Sequence, residues 1–262
     1  MATEHNGANM TYIFWTGGLD STYRMVELSR MDRTVQPIYC RNPRRDSADT
    51  EVRTMNRILE ALRARPETRA TLLPLKIIPK ETIPEDPEIT AAYKRIAPGS
   101  GLGAQYEYLA RLAVSYPGIE LGIEKNTEEK GHGFTATVMK HGCFLEENGI
   151  ERVDPDRSSP ELLKIAGNFT FPMRTVTEED ILRILTEWGY EDILSMIWFC
   201  HEPLRGKPCG MCAACSQKIE GGMEKLLPTR AVRRYWNLRN FRQHCSSHFL
   251  AETVKILNRR LI

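Results

Sequence analysis

Two short stretches of the sequence hold residues whose types and spacing suit chemistry. Near the N-terminus, the apolar run TYIFW is followed by TGGLDST at residues 16–22, which combines two glycines, one acid and three hydroxyl side chains. Far along the chain, four cysteines lie between residues 200 and 215: Cys200, Cys209, Cys212 and Cys215. The first pattern suits the binding of an anion, and the second suits the binding of a metal ion.

Residues 11–22 predict an apolar β-strand, a short glycine loop and the start of an α-helix. Gly17 and Gly18 allow positive φ angles and the close approach of an anion. The helix after the loop is expected to be capped by Asp20 or Ser21. Its N-terminus would present backbone N–H groups and partial positive charge to an anion in the glycine loop. Three hydroxyls can donate hydrogen bonds to phosphate oxygens, those of Thr16, Ser21 and Thr22. The stretch suits a phosphate group with Asp20 facing a magnesium ion, although a tight turn with a polar cap would use the same residue types.

The four cysteines follow the spacing C-x8-C-x2-C-x2-C, which suits one tetrahedral zinc ion with four thiolate ligands. Because cysteine fills all four positions, no ligand position is left for water, and we expect the zinc to be structural and to contribute to folding. A redox C-x2-C pair would leave Cys200 and Cys215 without a role. The run HCSSH (244–248) is a weaker candidate for a second metal site, because an isolated H-C-x2-H on a helix more often packs or faces solvent.

The composition is ordinary for a soluble globular chain, with 262 residues, 41% of them hydrophobic, and a net charge of +2. No run of about 18 apolar residues is present to cross a bilayer. The opening MATEHNGANM lacks the apolar segment of a signal peptide, so we expect a cytoplasmic protein with reduced thiols and no membrane partner. The nearly neutral charge gives no case for a nucleic-acid partner.

Hydrophobic patterning predicts strands that alternate with helices, which indicates an α/β fold with a parallel sheet. The predicted strands are residues 11–15, 35–40, 71–78 and 119–124, and the predicted helices are 49–65, 104–117 and 176–190 beside the helix after the glycine loop. Pro74 makes the third strand an edge strand or a broken one. Thr177 caps the helix at 176–190, and residues 80–103 form a long loop with one short helical piece. The chain after the cysteines is predicted to be mostly helical to its end.

The run TGGLDST resembles the PP-loop, [ST]-G-G-x-D-S-[ST], of the N-type ATP pyrophosphatases, which bind the pyrophosphate part of ATP and transfer AMP. The cysteine stretch CHEPLRGKPCGMCAAC resembles the zinc loop that ends members of the 7-cyano-7-deazaguanine synthase family, QueC. The two motifs together make the chain similar to this family over roughly residues 11–225. The resemblance implies a Rossmann-like PP-loop ATP-binding domain at 11–195, followed at 196–262 by a four-cysteine zinc loop and a helical tail.

The same resemblance implies roles for single residues. ATP would be bound by the loop residues Thr16, Gly17, Gly18, Leu19, Asp20, Ser21 and Thr22. Backbone amides and Mg²⁺ would hold the β and γ phosphates while the carboxylate of 7-carboxy-7-deazaguanine attacks the α phosphorus. In the family, ammonia attacks the acyl-adenylate, and the amide is then activated again to a nitrile. Catalytic roles are expected for Asp20, Ser21 and Lys125, and Lys94 and Arg95 are further candidates for charge stabilisation.

The middle of the chain departs from the family pattern. IAPGSGLGAQ stands where the family has V-P-G-R-N, EKNTEEKGHGF (124–134) replaces E-T-D-F-S-G-Y, and FPMRTVTEED carries no lysine at the expected place. QueC-like proteins also occur in anti-phage operons, including type IV CBASS and Qat systems, where coupling to a protein amine would use only the first half of the chemistry. We therefore favour a protein acceptor from the same operon over ordinary nitrile synthesis.

Two other function classes remain open at the level of sequence. A tRNA thiolase would share the PP-loop and would need catalytic cysteines outside the metal site, for which Cys40 and Cys143 are the candidates. A zinc-containing nucleic-acid-binding module would use the arginines interleaved with Tyr235, Trp236 and Phe241 in residues 230–242. We expect these aromatic side chains to pack against the core instead. A homodimer is also left open.

Overall fold

The structure, a computed structural model, describes residues 9–125 and 133–244. The chain divides into two compact units, the first containing the residues up to Pro43 and Glu51–Ile197, the second Arg44–Thr50 and the residues from Trp198 onward. The expected helical end of the chain after residue 244 and most of the HCSSH run lie outside the described residues. Among the described residues, no helix combines the length and apolar character that crossing a membrane requires.

The first unit is an α/β structure built on a parallel sheet, as the alternation of strands and helices predicts. Its strands are β1 (Met10–Phe14), β2 (Thr34–Arg41), β3 (Thr71–Leu72), β4 (Lys76–Pro79), β5 (Ile119–Glu120) and, after a separate hairpin of β6 (Phe144–Glu147) and β7 (Ile150–Val153), β8 (Phe169–Thr170). The order across the sheet is β3-β2-β1-β5-β8, with β4 also paired to β2, and all five pairings are parallel.

Pro74 breaks one edge of the sheet, as expected from its missing N–H group. The residues predicted as one strand form β3 and β4, which pair in turn with the beginning and the end of β2. The predicted strand at 119–124 is shorter than expected, since β5 covers only Ile119–Glu120. The N–H group of Leu121 still donates to the Thr170 carbonyl oxygen at 2.9 Å, and the chain leaves the sheet after this residue.

The order in which strands are added to the sheet changes direction between β1 and β5, although the two strands are parallel. From β1 the chain proceeds to β2 on one side of the sheet, whereas β5 and β8 are added on the other side. In open α/β sheets, the loops at the carboxyl ends of two such strands diverge and leave a crevice, which is where ligands bind. The glycine loop follows β1 directly, so it lies at this switch point.

Ten α-helices are assigned among the described residues: α1 (Leu19–Ser29), α2 (Ala48–Arg63), α3 (Pro87–Ile96), α4 (Gln105–Ala113), α5 (Phe134–His141), α6 (Pro160–Ala166), α7 (Glu178–Glu187), α8 (Glu191–Met196), α9 (Ala213–Glu220) and α10 (Thr229–His244). Thr177 caps α7 as predicted, in a capping box with Asp180. The cap predicted for α1 is wrong. Gly18 is its N-cap residue, and no side chain caps the helix, because both Asp20 and Ser21 lie inside its first turn.

The β6–β7 hairpin is a feature that the sequence prediction missed. Asn148 and Gly149 connect its antiparallel strands with φ angles of 55° and 78°. Two positive φ angles in an Asn-Gly pair are typical of a type I′ turn, so the dipeptide NG between FLEE and IERV was the available signal.

A buried ion pair joins α1 to β5 beneath the switch point. The guanidinium of Arg24 donates to both carboxylate oxygens of Glu120, at 2.8 and 2.7 Å, and both residues are more than nine-tenths buried. Arg24 also pairs with Glu27 at 3.2 Å. Burial acts against the charged form of Arg24, but the hydrogen bond and charge of Glu120 raise its pKa above the ordinary value, so the guanidinium stays charged.

We predict that Arg24→Met lowers the free energy of unfolding by about 3 kcal/mol, because it leaves the buried Glu120 carboxylate without its partner. Arg183→Met is the matched control, since Arg183 pairs with Glu187 at 3.1 Å while both side chains are more than half exposed. Its expected cost is about 0.5 kcal/mol. Urea denaturation of the two variants and the wild type measures both values, and equal losses would contradict a structural role for the buried pair.

Candidate functional site

The glycine loop is held at the end of β1 by backbone geometry. The N–H group of Trp15 donates to the carbonyl oxygen of Ile38 at 2.9 Å, which extends the pairing of β1 with β2 by one residue. Gly17 then adopts a φ angle of 73°, a left-handed conformation that favours glycine. Gly18 has a φ angle of −77°, so positive φ, which the sequence allowed for both glycines, is used by Gly17 alone.

Gly17 is also confined by the neighbouring helix α2. A Cβ atom at this position would lie 3.2 Å from Cγ of Met55 and 3.4 Å from a methyl carbon of Thr54. A larger residue would therefore require the Met55 side chain or the loop to shift. Both the backbone angle and the limited space favour glycine at this position.

The first turn of α1 presents backbone N–H groups that no side chain caps. The N–H groups at the start of a helix have no acceptor within the helix, and the helix dipole adds partial positive charge there. The backbone N–H of Thr16 donates to the Ser21 hydroxyl at 3.4 Å, and the two hydroxyls lie 3.4 Å apart. Thr16 is exposed and Ser21 is about nine-tenths buried, so these hydroxyls connect the two ends of the loop. This arrangement is suited to an anion.

Thr22 supports the loop from inside the molecule. Its side chain is fully buried, and its hydroxyl accepts a hydrogen bond from the indole N–H of the equally buried Trp15 at 3.0 Å. Leu19 is also buried, with 3% of its surface exposed. These two residues of the predicted ATP loop therefore lie on its inner side, whereas Thr16, Gly18 and Asp20 lie on its accessible side.

The segment after β5 packs directly on the first turn of α1. A Cβ atom on Gly122 would lie 3.3 Å from both the backbone N and the Cα of Ser21. Glycine at this position lets the segment approach the helix end closely. The sequence prediction treated these residues as a strand and assigned no role to Gly122.

Three carboxylates meet beside the loop. Asp20 lies in the first turn of α1, Glu124 in the segment after β5, and Glu178 in the first turn of α7, and one oxygen of each lies within 4.8 Å of the others. All three residues are partly buried. Like charges at this separation repel unless a cation or proton lies near them, and Mg²⁺ and Ca²⁺ prefer such oxygen ligands. The residues fit a divalent cation.

The sequence prediction found Asp20 and missed the other two acids. Glu124 follows a strand and Glu178 lies in an acidic first turn, so each sits in a position where such a site could be formed. Their proximity depends on the packing of the two segments, which the hydrogen bond from the Lys125 backbone N–H to the Val176 carbonyl oxygen, at 2.8 Å, holds together.

The lysine and arginine candidates are less closely tied to the loop. The side chain of Lys125 is exposed, directly after Glu124. Lys94 and Arg95 are exposed on α3, and Arg95 pairs with Glu161 of α6 at 3.1 Å. Their predicted roles in charge stabilisation remain predictions.

The first unit holds the two cysteines that the sequence offered as catalytic candidates, Cys40 and Cys143. Burial raises the pKa of the Cys40 thiol to about 12, which leaves it protonated at neutral pH. The Cys143 thiol lies 3.9 Å from a carboxylate oxygen of Asp154. The protonated state of Cys40 does not favour the thiolate that a catalytic cysteine of a tRNA thiolase needs.

The second unit brings its four predicted metal ligands together. All four cysteines are buried, with their sulfur atoms within 4.8 Å of one another: Cys200, Cys209, Cys212 and Cys215. The Sγ atoms of Cys209 and Cys215 lie 3.9 Å apart and those of Cys200 and Cys212 4.0 Å apart. Tetrahedral zinc with Zn–S bonds of about 2.3 Å separates its sulfur ligands by about 3.8 Å. The cluster therefore fits a metal such as zinc, with no ligand position left over.

Backbone groups around the cysteines favour the thiolate form. The N–H groups of Met211 and Cys212 both donate to Sγ of Cys209 at 3.2 Å, and the N–H of Cys209 donates to Sγ of Cys200 at the same distance. Arg234 of α10 donates to the Cys209 carbonyl oxygen, which attaches that helix to the cluster.

No protein-family model matches the chain, and no curated protein matches it. The similarity to the 7-cyano-7-deazaguanine synthase family therefore rests on the two sequence motifs alone. The α/β fold, the parallel sheet and the four-cysteine cluster are the parts of that expectation that the structure bears out.

We predict one zinc ion per chain, and we predict that Cys212→Ser loses it and unfolds the second unit, because three ligands cannot complete the tetrahedral site. Cys143→Ser is the matched control and should retain one zinc ion. Metal content by mass spectrometry and cleavage by a protease after residue 198 measure the two effects. A zinc-free protein that resists the protease as the wild type does would refute the structural role.

We also predict that Gly17→Ala costs about 1 kcal/mol more free energy of unfolding than Gly189→Ala. Both glycines have positive φ angles, 73° and 76°, so both variants lose about 1 to 2 kcal/mol from backbone strain. Only at Gly17 does the added methyl group also meet a neighbouring side chain, whereas nothing lies within 4 Å at Gly189. Equal losses in urea denaturation would show that α2 does not confine the loop.

Proposed function

We propose that the protein is an ATP-dependent ligase that adenylates the carboxylate of 7-carboxy-7-deazaguanine and couples it to an amine, with a protein amine as the favoured acceptor. The observation that carries the ATP-dependent step is the position of the uncapped α1 N-terminus beside three carboxylates, from Asp20, Glu124 and Glu178. The choice of deazaguanine carboxylate rests on the resemblance of TGGLDST and the cysteine stretch to the synthase family.

An anion and a cation bound side by side would match the helix N-terminus and the three carboxylates. The first turn of α1 favours negative charge, whereas the carboxylates favour positive charge. The β and γ phosphates of ATP with a divalent cation supply both, and neither a free anion nor a free metal ion does so alone. Mg²⁺ at the carboxylates would neutralise charge on the phosphates as pyrophosphate leaves.

The residues of the chain would act mainly by positioning and by electrostatics. Backbone N–H groups of Asp20 and Ser21 would donate to the departing pyrophosphate, and the exposed Thr16 hydroxyl would add another donor. Gly17 and Gly122 would permit the close approach of phosphate and of the β5 segment. The exposed Lys125 is within one residue of Glu124 and would provide positive charge near the α phosphate.

The proposed reaction has two steps. A carboxylate oxygen attacks the α phosphorus, the bond between that phosphorus and the bridging oxygen to the β phosphate breaks, and pyrophosphate leaves. The amine nitrogen then attacks the acyl carbon, the bond to AMP breaks, and the nitrogen loses a proton as the amide forms. Nitrile synthesis would require the amide oxygen to be activated by a second ATP.

The segment FPMRTVTEED, which lacks the lysine of the family pattern, contains an arginine with several contacts inside the protein. Arg174 pairs with Glu151 of β7, donates to the Thr135 hydroxyl at 3.0 Å, and lies 3.7 Å from the ring centre of Phe144. This arginine therefore stabilises the hairpin, and its charge is paired with the Glu151 carboxylate. Such a difference from the family supports altered acceptor chemistry over ordinary nitrile synthesis. Ordinary 7-cyano-7-deazaguanine synthase activity with ammonia stays as the alternative within this enzyme class.

We predict that the protein releases pyrophosphate from ATP only when 7-carboxy-7-deazaguanine and Mg²⁺ are present, and that Asp20→Ala lowers the rate at least a hundredfold. The loss follows from removal of a carboxylate that faces both the phosphate loop and the proposed cation. Asp32→Ala is the matched control, since Asp32 is exposed beyond the far end of α1, and it should leave the rate unchanged. A coupled pyrophosphate assay measures each rate.

The products separate the alternatives. Mass spectrometry after reaction with ammonia, or with proteins from the same operon, should show an amide conjugate for the proposed ligase and a nitrile for an ordinary synthase. Release of ADP without the acid, or no nucleotide turnover with intact zinc content, would overturn the proposal. The second result would favour a zinc-containing binding module instead.

A further inference from the structure

The two units carry opposite charge, which the net charge of the whole chain conceals. The second unit, residues 44–50 and 198–262, contains 14 lysines and arginines against 6 aspartates and glutamates, a formal charge of +8. The rest of the chain contains 22 against 28, a formal charge of −6. A zinc ion on four thiolates would lower the first value to about +6. Long-range attraction of a polyanion must therefore be judged for the second unit alone.

Helix α10 is a large source of this positive charge. It contains five arginines and no aspartate or glutamate over Thr229–His244. Ala231 and Tyr235 are buried against the cysteine cluster, which fixes the opposite side of the helix toward solvent. Residues three, four or seven positions apart lie on one face of a helix. The exposed face of α10 contains Arg230, Arg233, Trp236, Asn237 and Asn240.

The arginines of α10 divide into engaged and available side chains. Arg234 donates to the Cys209 carbonyl oxygen, and Arg239 pairs with Glu220 at 3.3 Å. Arg230 and Arg233 are exposed, and among the described residues no carboxylate pairs with either. A pair of neighbouring guanidinium groups on one helix face can contact consecutive phosphates of a polynucleotide.

Two aromatic side chains on α10 face solvent, contrary to the expectation that all three pack against the core. Tyr235 is buried as expected, but Trp236 is 40% exposed and Phe241 is 44% exposed. The Trp236 ring contacts Tyr235 edge to face and has the Arg239 guanidinium 5.4 Å from its centre. An indole braced in this way offers a flat surface on which a base can stack.

We infer that the exposed face of α10 binds single-stranded nucleic acid, with Arg230 and Arg233 on phosphates and Trp236 stacked on a base. The positive charge of the second unit favours a polyanion. The solvent-facing ring of Trp236 favours an unpaired base, because the bases of a duplex are already stacked on one another. This binding surface is separate from the proposed adenylation chemistry, and its test does not require turnover.

Other occupants of this face are less well matched in charge. Residues 245–262 of the same chain carry Lys255, Arg259 and Arg260 against Glu252, so they add positive charge. A second copy docked with the same face would place arginine against arginine, since a two-fold interface pairs identical patches. An acidic protein surface would satisfy the arginines and could bury the indole, and it is the occupant left if no single strand binds at the lowest salt concentration.

The experiment titrates full-length protein into a fluorescent single-stranded RNA of about 20 nucleotides and into the corresponding single-stranded DNA. Blunt duplexes of the same RNA and DNA are titrated for comparison. Each titration is repeated at salt concentrations between about 50 and 200 mM. Fluorescence anisotropy should show binding that weakens with salt and is tighter for single strands than for duplexes. Arg230→Glu with Arg233→Glu should weaken binding at least tenfold and reduce the slope of log affinity against log salt by about 1.4.

Further variants separate stacking from charge. Trp236→Ala should weaken single-strand binding about tenfold with little change in salt slope, and Trp236→Phe should restore most of it. The double variant Arg57→Glu with Lys140→Glu is the matched control, because it reverses two exposed charges in the first unit, and it should bind as the wild type does. Zinc content and circular dichroism of every variant verify that the fold is retained.

Several outcomes would overturn the inference. These are no binding at the lowest salt concentration, equal affinity for duplex and single strand, or equal losses in the α10 and control double variants. Equal binding by Trp236→Ala and wild type would also overturn it, because a charged surface alone would then suffice. A dimer whose contact is lost in the α10 variants would assign the face to a second copy of the chain.

Discussion

The buried ion pair between Arg24 and Glu120 is the interaction on which the geometry of the candidate anion site depends. It connects α1 to the last residue of β5, so the beginning of the helix and the segment after the strand keep a fixed relation. Gly122 can then pack on the backbone of Ser21, and Glu124 reaches the same side as Asp20. Separate charges in these buried positions would be costly, and each is stable only because the other is present.

The site that results combines two opposite electrostatic preferences within a few ångströms. An uncapped helix N-terminus favours an anion, while the carboxylates of Asp20, Glu124 and Glu178 favour a cation. The Thr177 side chain caps α7, whereas no side chain caps α1. Under the proposed function, the open N-terminus of α1 would receive a phosphate group and the carboxylates would receive its metal ion. The preorganisation would favour such a pair over either ion alone.

Local signals allowed much of the fold to be predicted, whereas tertiary proximity was not accessible from sequence. Pro74 broke an edge strand and Thr177 capped a helix because both effects act through the residue's own backbone or its immediate neighbours. The cysteine cluster was predictable because its ligands are close in sequence. Glu124 and Glu178 were missed because only the strand order brings them to Asp20. The exposed Trp236 was assigned wrongly because the orientation of α10 depends on which residues pack against the cysteines, not on hydrophobicity.

The open end of α1 and the three carboxylates are proposed to form one site for phosphates and a divalent cation. A crystal structure with α,β-methylene-ATP and Mn²⁺ tests this directly, because Mn²⁺ gives an anomalous signal and the analogue cannot release pyrophosphate. We expect an anomalous peak among Asp20, Glu124 and Glu178, with β-phosphate oxygens accepting hydrogen bonds from the first turn of α1. Nucleotide bound elsewhere, or phosphates at α1 with the manganese away from these carboxylates, would contradict the proposal.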